Sequence, residues 1–355
     1  MKLISAMRLR KRAIPQPVQA DADNARQPWR IALVAATALA SISMAILSAT
    51  STAASPAGDR SSWVSTWTAS PQPPESPRPL PLPAQFENQT IRQIVHTSVG
   101  GDKVRVRFSN EFGTTPLLIG AAHIALQNSG AGIIPASDRT LTFGGLTSVT
   151  LPAGAPVLSD PVDLDVPALG NLAVSLYLPI SSPASTFHSL GVQTTYVSTA
   201  GDHSATASFP TATTTESWFF MTAVTVDSAA RSTAIVALGD SITDGFGSTV
   251  NTDRSYPSLL AARLQARPDL RHLAVVDQGI SGNRTLHDSF GPNALARFDR
   301  DVLAVPGTRQ VILLEGINNI GFPGFLNRPH ERVDAQDIIA GHRQLIARAH
   351  AHGLT

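Results

Sequence analysis

The hydrophobic pattern changes period once, near Ser228, and that change limits the chain to a β-rich part followed by an α/β part. From Trp63 to about Val226 the apolar residues come in short runs rich in Val, Ile, Thr and aromatics: Thr90–Val99, Lys103–Phe108, Leu117–Leu126, Leu172–Leu178, Gln193–Ser198 and Trp218–Val226. Lys103, Arg105 and Arg107 alternate with Val104, Val106 and Phe108, the period of a strand with one wet and one buried face. Gly100-Gly101-Asp102, Asn128-Ser129-Gly130 and Gly201-Asp202 supply turn chemistry between runs. With no helical spacing among them, these runs predict an antiparallel sandwich or jelly roll.

Beyond Ser228 the rhythm becomes strand, loop, helix, repeated. Ala234–Leu238, Leu273–Val276 and Val311–Leu314 are short apolar runs, and Tyr256–Ala266, Asn293–Leu303 and Asp334–His352 have helical spacing. This alternation predicts a parallel sheet covered by helices on both faces. A helix stop at Gly353-Leu354-Thr355 is where a fourth strand is expected, so the 355 residues read as part of a longer protein.

The N-terminal segment reads as an export signal. Residues 1–54 carry Lys2, Arg8, Arg10, Lys11, Arg12, Arg26 and Arg30 against Asp21 and Asp23. The basic stretch runs into the 17-residue Ala-rich apolar run Ile31–Leu47 and then into small residues, the order of a secretory signal, with cleavage expected near Ala53 or Ala54. The run is too diluted for a stable membrane span. The partition is therefore a signal over 1–54, a β-sandwich-like domain over 55–228 and an α/β domain over 229–355. With a formal net charge of +1 for the whole chain, the mature part is mildly acidic, which gives no electrostatic footprint for nucleic acid. The absence of cysteine excludes disulfides, thiol catalysis and Cys-based zinc sites. Pro71–Pro83 holds seven prolines and reads as an extended surface excursion.

In open parallel sheets, ligands gather at the carboxyl ends of the strands, and three loops there are chemically unusual. The first is Gly239-Asp240-Ser241-Ile242-Thr243-Asp244-Gly245, which puts a serine at a helix N-terminus, where free N–H groups can stabilise an oxyanion. It could equally be a plain helix cap. The second, Gly279-Ile280-Ser281-Gly282-Asn283-Arg284, could be a simple turn or a close backbone approach to a ligand. The third, Glu315-Gly316-Ile317-Asn318-Asn319, offers a neutral carboxamide donor or an Asx turn.

Taken in order, the three blocks resemble the SGNH (GDSL) hydrolase family over about residues 233–355. The resemblance implies a three-layer α/β/α flavodoxin-like fold and a serine esterase working through an acyl-enzyme. It implies Ser241 as nucleophile, with its own N–H, the Gly282 N–H and the Asn318 side chain forming the oxyanion hole. It implies no metal or organic cofactor, and a small-molecule or polysaccharide ester as substrate. Trp63-x-x-x-Trp67-Thr-Ala-Ser-Pro and Phe108-Ser-Asn-Glu-Phe-Gly113 resemble the N-terminal β domain of a bacterial arylesterase/acylhydrolase subfamily.

Two departures stand out. Asn319 takes the place of the family's Asp, and the family's last block, Asp-x-x-His, is absent. Of the ten histidines only His287 and His330 follow candidate loops; His342, His350 and His352 read as solvated, and the expected base lies beyond Thr355. A rival reading from another class is a carbohydrate-binding protein with a degenerate hydrolase scaffold, its platform being Trp63, Trp67, Tyr196 and Trp218.

Overall fold

The computed structural model describes residues 63–74, 83–228 and 232–355. The expected signal over 1–54 and most of the proline-rich excursion lie outside those residues. The strands that build the β-rich part are β1 (Trp63–Thr68), β2 (Gln89–His96), β3 (Gly101–Ser109), β4 (Ala121–Leu126), β5 (Arg139–Thr140), β6 (Pro156–Leu158), β7 (Val162–Val166), β8 (Asn171–Leu178), β9 (Thr195–Ala200), β10 (Thr211–Thr215) and β11 (Met221–Asp227). One antiparallel sheet runs β1-β11-β3-β7, with β6 also on β3; the other runs β10-β9-β2-β8-β4-β5. Val104, Val106, Phe108, Val224 and Val226 of the first share one core with Ile91, Val95, Leu172, Val174 and Leu176 of the second. Alternation places these residues on facing surfaces, and burial of two such surfaces holds the sheets together.

Two expected strands are interrupted. Leu117–Leu126 breaks at Gly120, where the chain crosses from a short pairing of Leu117–Ile119 to β4. Trp218–Val226 breaks at Phe220, which takes φ +57° and so cannot continue a pleated ladder.

The α/β part consists of β12 (Thr233–Gly239), α1 (Ser241–Asp244), α2 (Tyr256–Gln265), β13 (Leu273–Gly279), α3 (Ala294–Phe298), β14 (Thr308–Leu314), α4 (Ile317–Phe325) and α5 (Ala335–Ala351). The three strands are parallel in the order β13-β12-β14. Ile235 packs with Ala261 and Val275 on the α2 face, while Val236 and Leu238 pack with Phe298, Leu345 and Ala349 on the other. Asn293–Leu303, expected as one α-helix, is α3 followed by a π-helical turn over Asp299–Leu303. A capping box at Asp334 and Asp337 starts α5. On the free side of β14, Thr355 accepts from the Val311 N–H (2.9 Å) and donates to the Arg309 carbonyl (3.1 Å), a parallel pairing.

The two parts are laced together through the segments that stood out in the sequence. After β1, Thr68 Oγ1 donates to the Asp277 carbonyl (2.7 Å), and Gln72 Nε2 donates to the Phe290 carbonyl (2.6 Å). Glu111, in the Phe108–Gly113 motif, pairs with Arg300 at 3.0 Å. The supposed sugar platform is corrected by the packing. Trp67 and Trp218 are buried and meet edge to face at 4.9 Å, Arg105 lies over Trp63 at 4.0 Å, and Tyr196 packs on a small cluster with Ile94 and Ile133. Trp67 and Trp218 are therefore core residues, as large strand aromatics commonly are, while Trp63 and Tyr196 are half-buried against Arg105 and the cluster of Ile94 and Ile133.

Candidate active site

The first loop is shaped by what a side chain at Gly239 would meet. An added Cβ would lie 1.9 Å from Thr243 Oγ1 and 2.7 Å from the Leu314 carbonyl, so only glycine lets β12 turn this tightly into α1. Asp240 caps that helix, its carboxylate accepting from the Ile242 N–H at 3.0 Å. Ser241 therefore occupies the first helical position, with its N–H unbonded among the described residues and its side chain partly exposed. The second loop places Gly282 at φ +82°, where a Cβ would strike the Phe290 ring at 2.4 Å. Its N–H is likewise unbonded among the described residues.

The third loop is tied to the second by both asparagines. Asn318 Nδ2 donates to the Asn283 carbonyl at 2.8 Å, leaving the other N–H of its amide, and Asn319 Oδ1 accepts from the Thr285 N–H at 2.7 Å. Asn319 thus does as an acceptor what a carboxylate would do, while its buried Nδ2 has no partner among the described residues.

Ser241, Gly282 and Asn318 line one open groove of about 810 Å³. Phe246, Phe290, Phe322 and Phe325 give it an aromatic wall, and Ser189, Thr194, Thr214 and Thr215 from the β-rich part give it a hydroxyl-bearing one. None of the ten histidines lines it. His287 is half-buried beside the groove's second loop, and His330 is exposed. His350 and His352 are exposed, whereas His342, expected in solvent, is half-buried with Nε2 lacking a partner among the described residues.

Sequence reasoning missed the side chain that binds the three loops together. Arg297 on α3 is fully buried and donates to the Gly239 carbonyl (2.9 Å), the Gln278 carbonyl (2.6 Å), Asn283 Oδ1 (2.9 Å) and Ser70 Oγ (3.0 Å). It also pairs with Asp301 at 3.1 Å and faces Glu315 at 3.5 Å. An arginine in a helical pattern is ordinarily a solvated residue, so no local signal marked it.

Burial works against the ionisation of two carboxyl groups beneath the loops. Burial pushes Asp277 up to about 8, with the charge of Asp244 adding to the effect. Burial pushes Glu315 up to about 8 as well, against the opposing Arg297 charge, and its Oε2 has no partner among the described residues. Raised folded values mean that this part of the stability is fully present below the ordinary carboxylate range and lost as pH rises through about 8. Asp301, held low by Arg300 and Arg297 despite burial, acts in the opposite direction and is lost in strong acid. The melting temperature should therefore peak in mild acid and fall from the ordinary carboxylate range up to about pH 8. Asp277→Asn and Glu315→Gln should flatten that fall in calorimetric scans, and an unchanged slope would contradict the assignment.

With that geometry in place, one family match stands out. Residues 237–355 match the GDSL-like Lipase/Acylhydrolase family. Among solved structures the chain resembles AlinE4, an SGNH-hydrolase family esterase, at 19% identity over 35% of this chain and 56% of that one, with a TM-score of 0.28. It resembles LAE5, an alpha/beta hydrolase enzyme from the metagenome of Lake Arreo, Spain, at 29% identity over 34% and 56%, TM-score 0.28. It also resembles a catalytic mutant of Axe2, an acetylxylan esterase from Geobacillus stearothermophilus, at 27% identity over 34% and 55%, TM-score 0.26. The chain thus spans a little over half the length of these relatives. No curated protein matches it.

Proposed function

We propose that this chain is the Ser241 and oxyanion-hole portion of an exported serine ester hydrolase with a three-layer α/β/α hydrolase fold. The observation that carries the reading is the convergence of Ser241, Gly282 and Asn318 on one groove with two unbonded backbone N–H groups. Ser241 Oγ attacks the ester carbonyl carbon, and the developing oxyanion accepts from the N–H groups of Ser241 and Gly282 and from Asn318 Nδ2. The base takes the Ser241 hydroxyl proton and passes it to the leaving oxygen, so collapse expels the alcohol and leaves an acyl-serine, which water then hydrolyses to acid and free enzyme. The mixed aromatic and hydroxyl-bearing walls suit an acyl or aryl group on one side and a polyhydroxylated alcohol on the other, as in acylated polysaccharide.

A serine hydroxyl needs a base for efficient turnover. All ten histidines sit away from the groove lining, so we assign the base to a residue outside these 355 positions. On that assignment the 355-residue chain turns over slowly, helped by the oxyanion hole alone. The test is hydrolysis of a short-chain chromogenic ester by this chain and by a downstream-extended chain carrying Asp-x-x-His. Full activity in the short form would put the base within it, and Glu216, the ionisable side chain among the groove residues, would be the one to mutate. In the active form Asn318→Ala should lower turnover by about 10²–10³, the usual loss for one oxyanion donor, with little change in KM. A loss confined to KM would instead make Asn318 a ground-state binding residue.

Export rests on the basic, apolar and small-residue order of residues 1–54. N-terminal sequencing of the secreted protein should begin near residue 55, and an intact Met1 on a membrane-bound product would reverse this assignment. Among the described residues no helix is long and apolar enough to cross a membrane.

A further inference from the structure

His188 belongs to the β-rich part and is separated from Ser241 by more than fifty residues, yet it is built into the floor of the candidate site. Its side chain and that of Asp244 on α1 are 4% and 3% exposed. His188 Nε2 lies 2.9 Å from Asp244 Oδ1 and 3.2 Å from the Leu190 carbonyl, and Nδ1 lies 2.9 Å from the Ser70 carbonyl. Both ring nitrogens thus face acceptors. A neutral imidazole would aim a lone pair at one of these oxygens, a repulsion that a buried ring cannot relieve with water. Only the imidazolium, donating from both nitrogens, satisfies the contacts.

The other Asp244 oxygen carries the connection into the site. Asp244 Oδ2 accepts from both the backbone N–H and the hydroxyl of Ser281, each at 2.6 Å. Ser281 precedes Gly282, and both line the groove. On the β-rich side, Ser189 and Leu190 follow His188 into the same groove. The Trp218 ring packs against His188, with centroids 5.5 Å apart and planes tilted by 31°.

We infer that His188, as a buried imidazolium, is a positioning residue that sets the Ser281–Gly282 loop through Asp244, so that the β-rich part completes the active site rather than merely preceding it. The role of the Gly282 N–H in this chain of contacts rests on the esterase reading above; the contacts themselves do not. The groups facing His188 are Asp244 on α1 and Asp277 on β13. Across a cavity of about 80 Å³ stand His96 on β2 and Asp253 and Arg254 ahead of α2. Burial alone lowers the His188 pKa, but Asp244, by charge and hydrogen bond, with the Ser70 carbonyl, reverses this to a net rise. The contribution is therefore complete below the ordinary histidine value and lost as pH rises through the raised one.

The test uses the 355-residue chain with ¹⁵N-labelled histidine, the His188 signals being assigned from through-space contacts between its ring and that of Trp218. At pH 7 both His188 ring nitrogens should be protonated in the unmodified protein, and in Asp244→Asn the ring should become neutral. Exchange of the Ser281 amide should rise at least tenfold in Asp244→Asn. In the unmodified protein its protection, corrected for intrinsic rates, should fall as His188 titrates. A neutral His188 at pH 7, or Ser281 protection indifferent to the His188 titration, overturns the inference even if no variant folds. These readouts involve no turnover: absence of fluorophosphonate labelling at Ser241 in the downstream-extended protein would sink the esterase reading alone, and indifferent Ser281 protection would sink this one alone.

Discussion

In the downstream-extended protein that carries the base, replacing Ser241 by alanine is expected to abolish covalent labelling by a fluorophosphonate while leaving the melting temperature almost unchanged. The two halves of that expectation have different causes. Labelling requires a base-activated oxygen nucleophile beside oxyanion donors, and the Ser241 hydroxyl stands at the first position of α1, next to its own unbonded N–H and in one groove with Gly282 and Asn318. The serine side chain makes no hydrogen bond among the described residues, so its removal strands no partner and should cost within about 0.5 kcal/mol, as surface substitutions do. Three other serines, Ser189, Ser217 and Ser281, share the groove, which makes the experiment discriminating. Their hydroxyls are worse placed for attack: that of Ser281 donates to Asp244 and that of Ser217 to the Ser189 carbonyl. Mass-spectrometric mapping that found the adduct undiminished in Ser241→Ala, on any of these serines, would move the nucleophile and undo the assignment.

Arg297→Leu should have the largest effect on stability, a loss of about 3–5 kcal/mol, the usual consequence of removing one partner of a buried ion pair. The side chain is fully buried, so its bonds to the Gly239 and Gln278 carbonyls, Asn283 and Asp301 have no water to replace them. Leucine would fill part of the volume but leave the Asp301 carboxylate with Arg300 as its remaining partner. Because Arg297 reaches the carboxyl ends of β12 and β13 and faces Glu315 beyond β14, the damage should extend to the groove. Arg297→Lys keeps one charge but cannot span the same acceptors, since an ammonium lacks the planar fork. It should fall between the two in urea denaturation. A leucine variant as stable as the parent would show that the network is dispensable and that the loops are held by their own turns.

Local chemistry made much of this protein legible. Period-two alternation at Lys103–Phe108 and helical spacing at Asp334–His352 reflect which faces meet water, and both are local properties that survive without knowledge of the partner surface. The tight turn at Gly239 and the positive φ of Gly282 were similarly written in residue type. Where the sequence misled, the deciding factor was distant. Leu117–Leu126 carries the composition of one strand but is divided at Gly120, where the chain passes from one pairing to another. The tryptophans have the composition of a sugar platform and are occupied instead by Arg105, by each other and by the core.

The sequence by itself determined that a β-rich part precedes an α/β part, and which strand-end loops carry a serine, a glycine and an asparagine, because hydrophobic period and backbone freedom are properties of neighbouring residues. Only the tertiary structure decided what those loops rest on. Arg297 and His188 look like unremarkable residues in a helix and a strand-rich stretch, yet one gathers the carbonyls of two strand ends and the other reaches Asp244 from the opposite part of the chain. A buried charge persists only where many acceptors converge, and that convergence comes from segments tens to hundreds of residues apart, which no window of sequence contains.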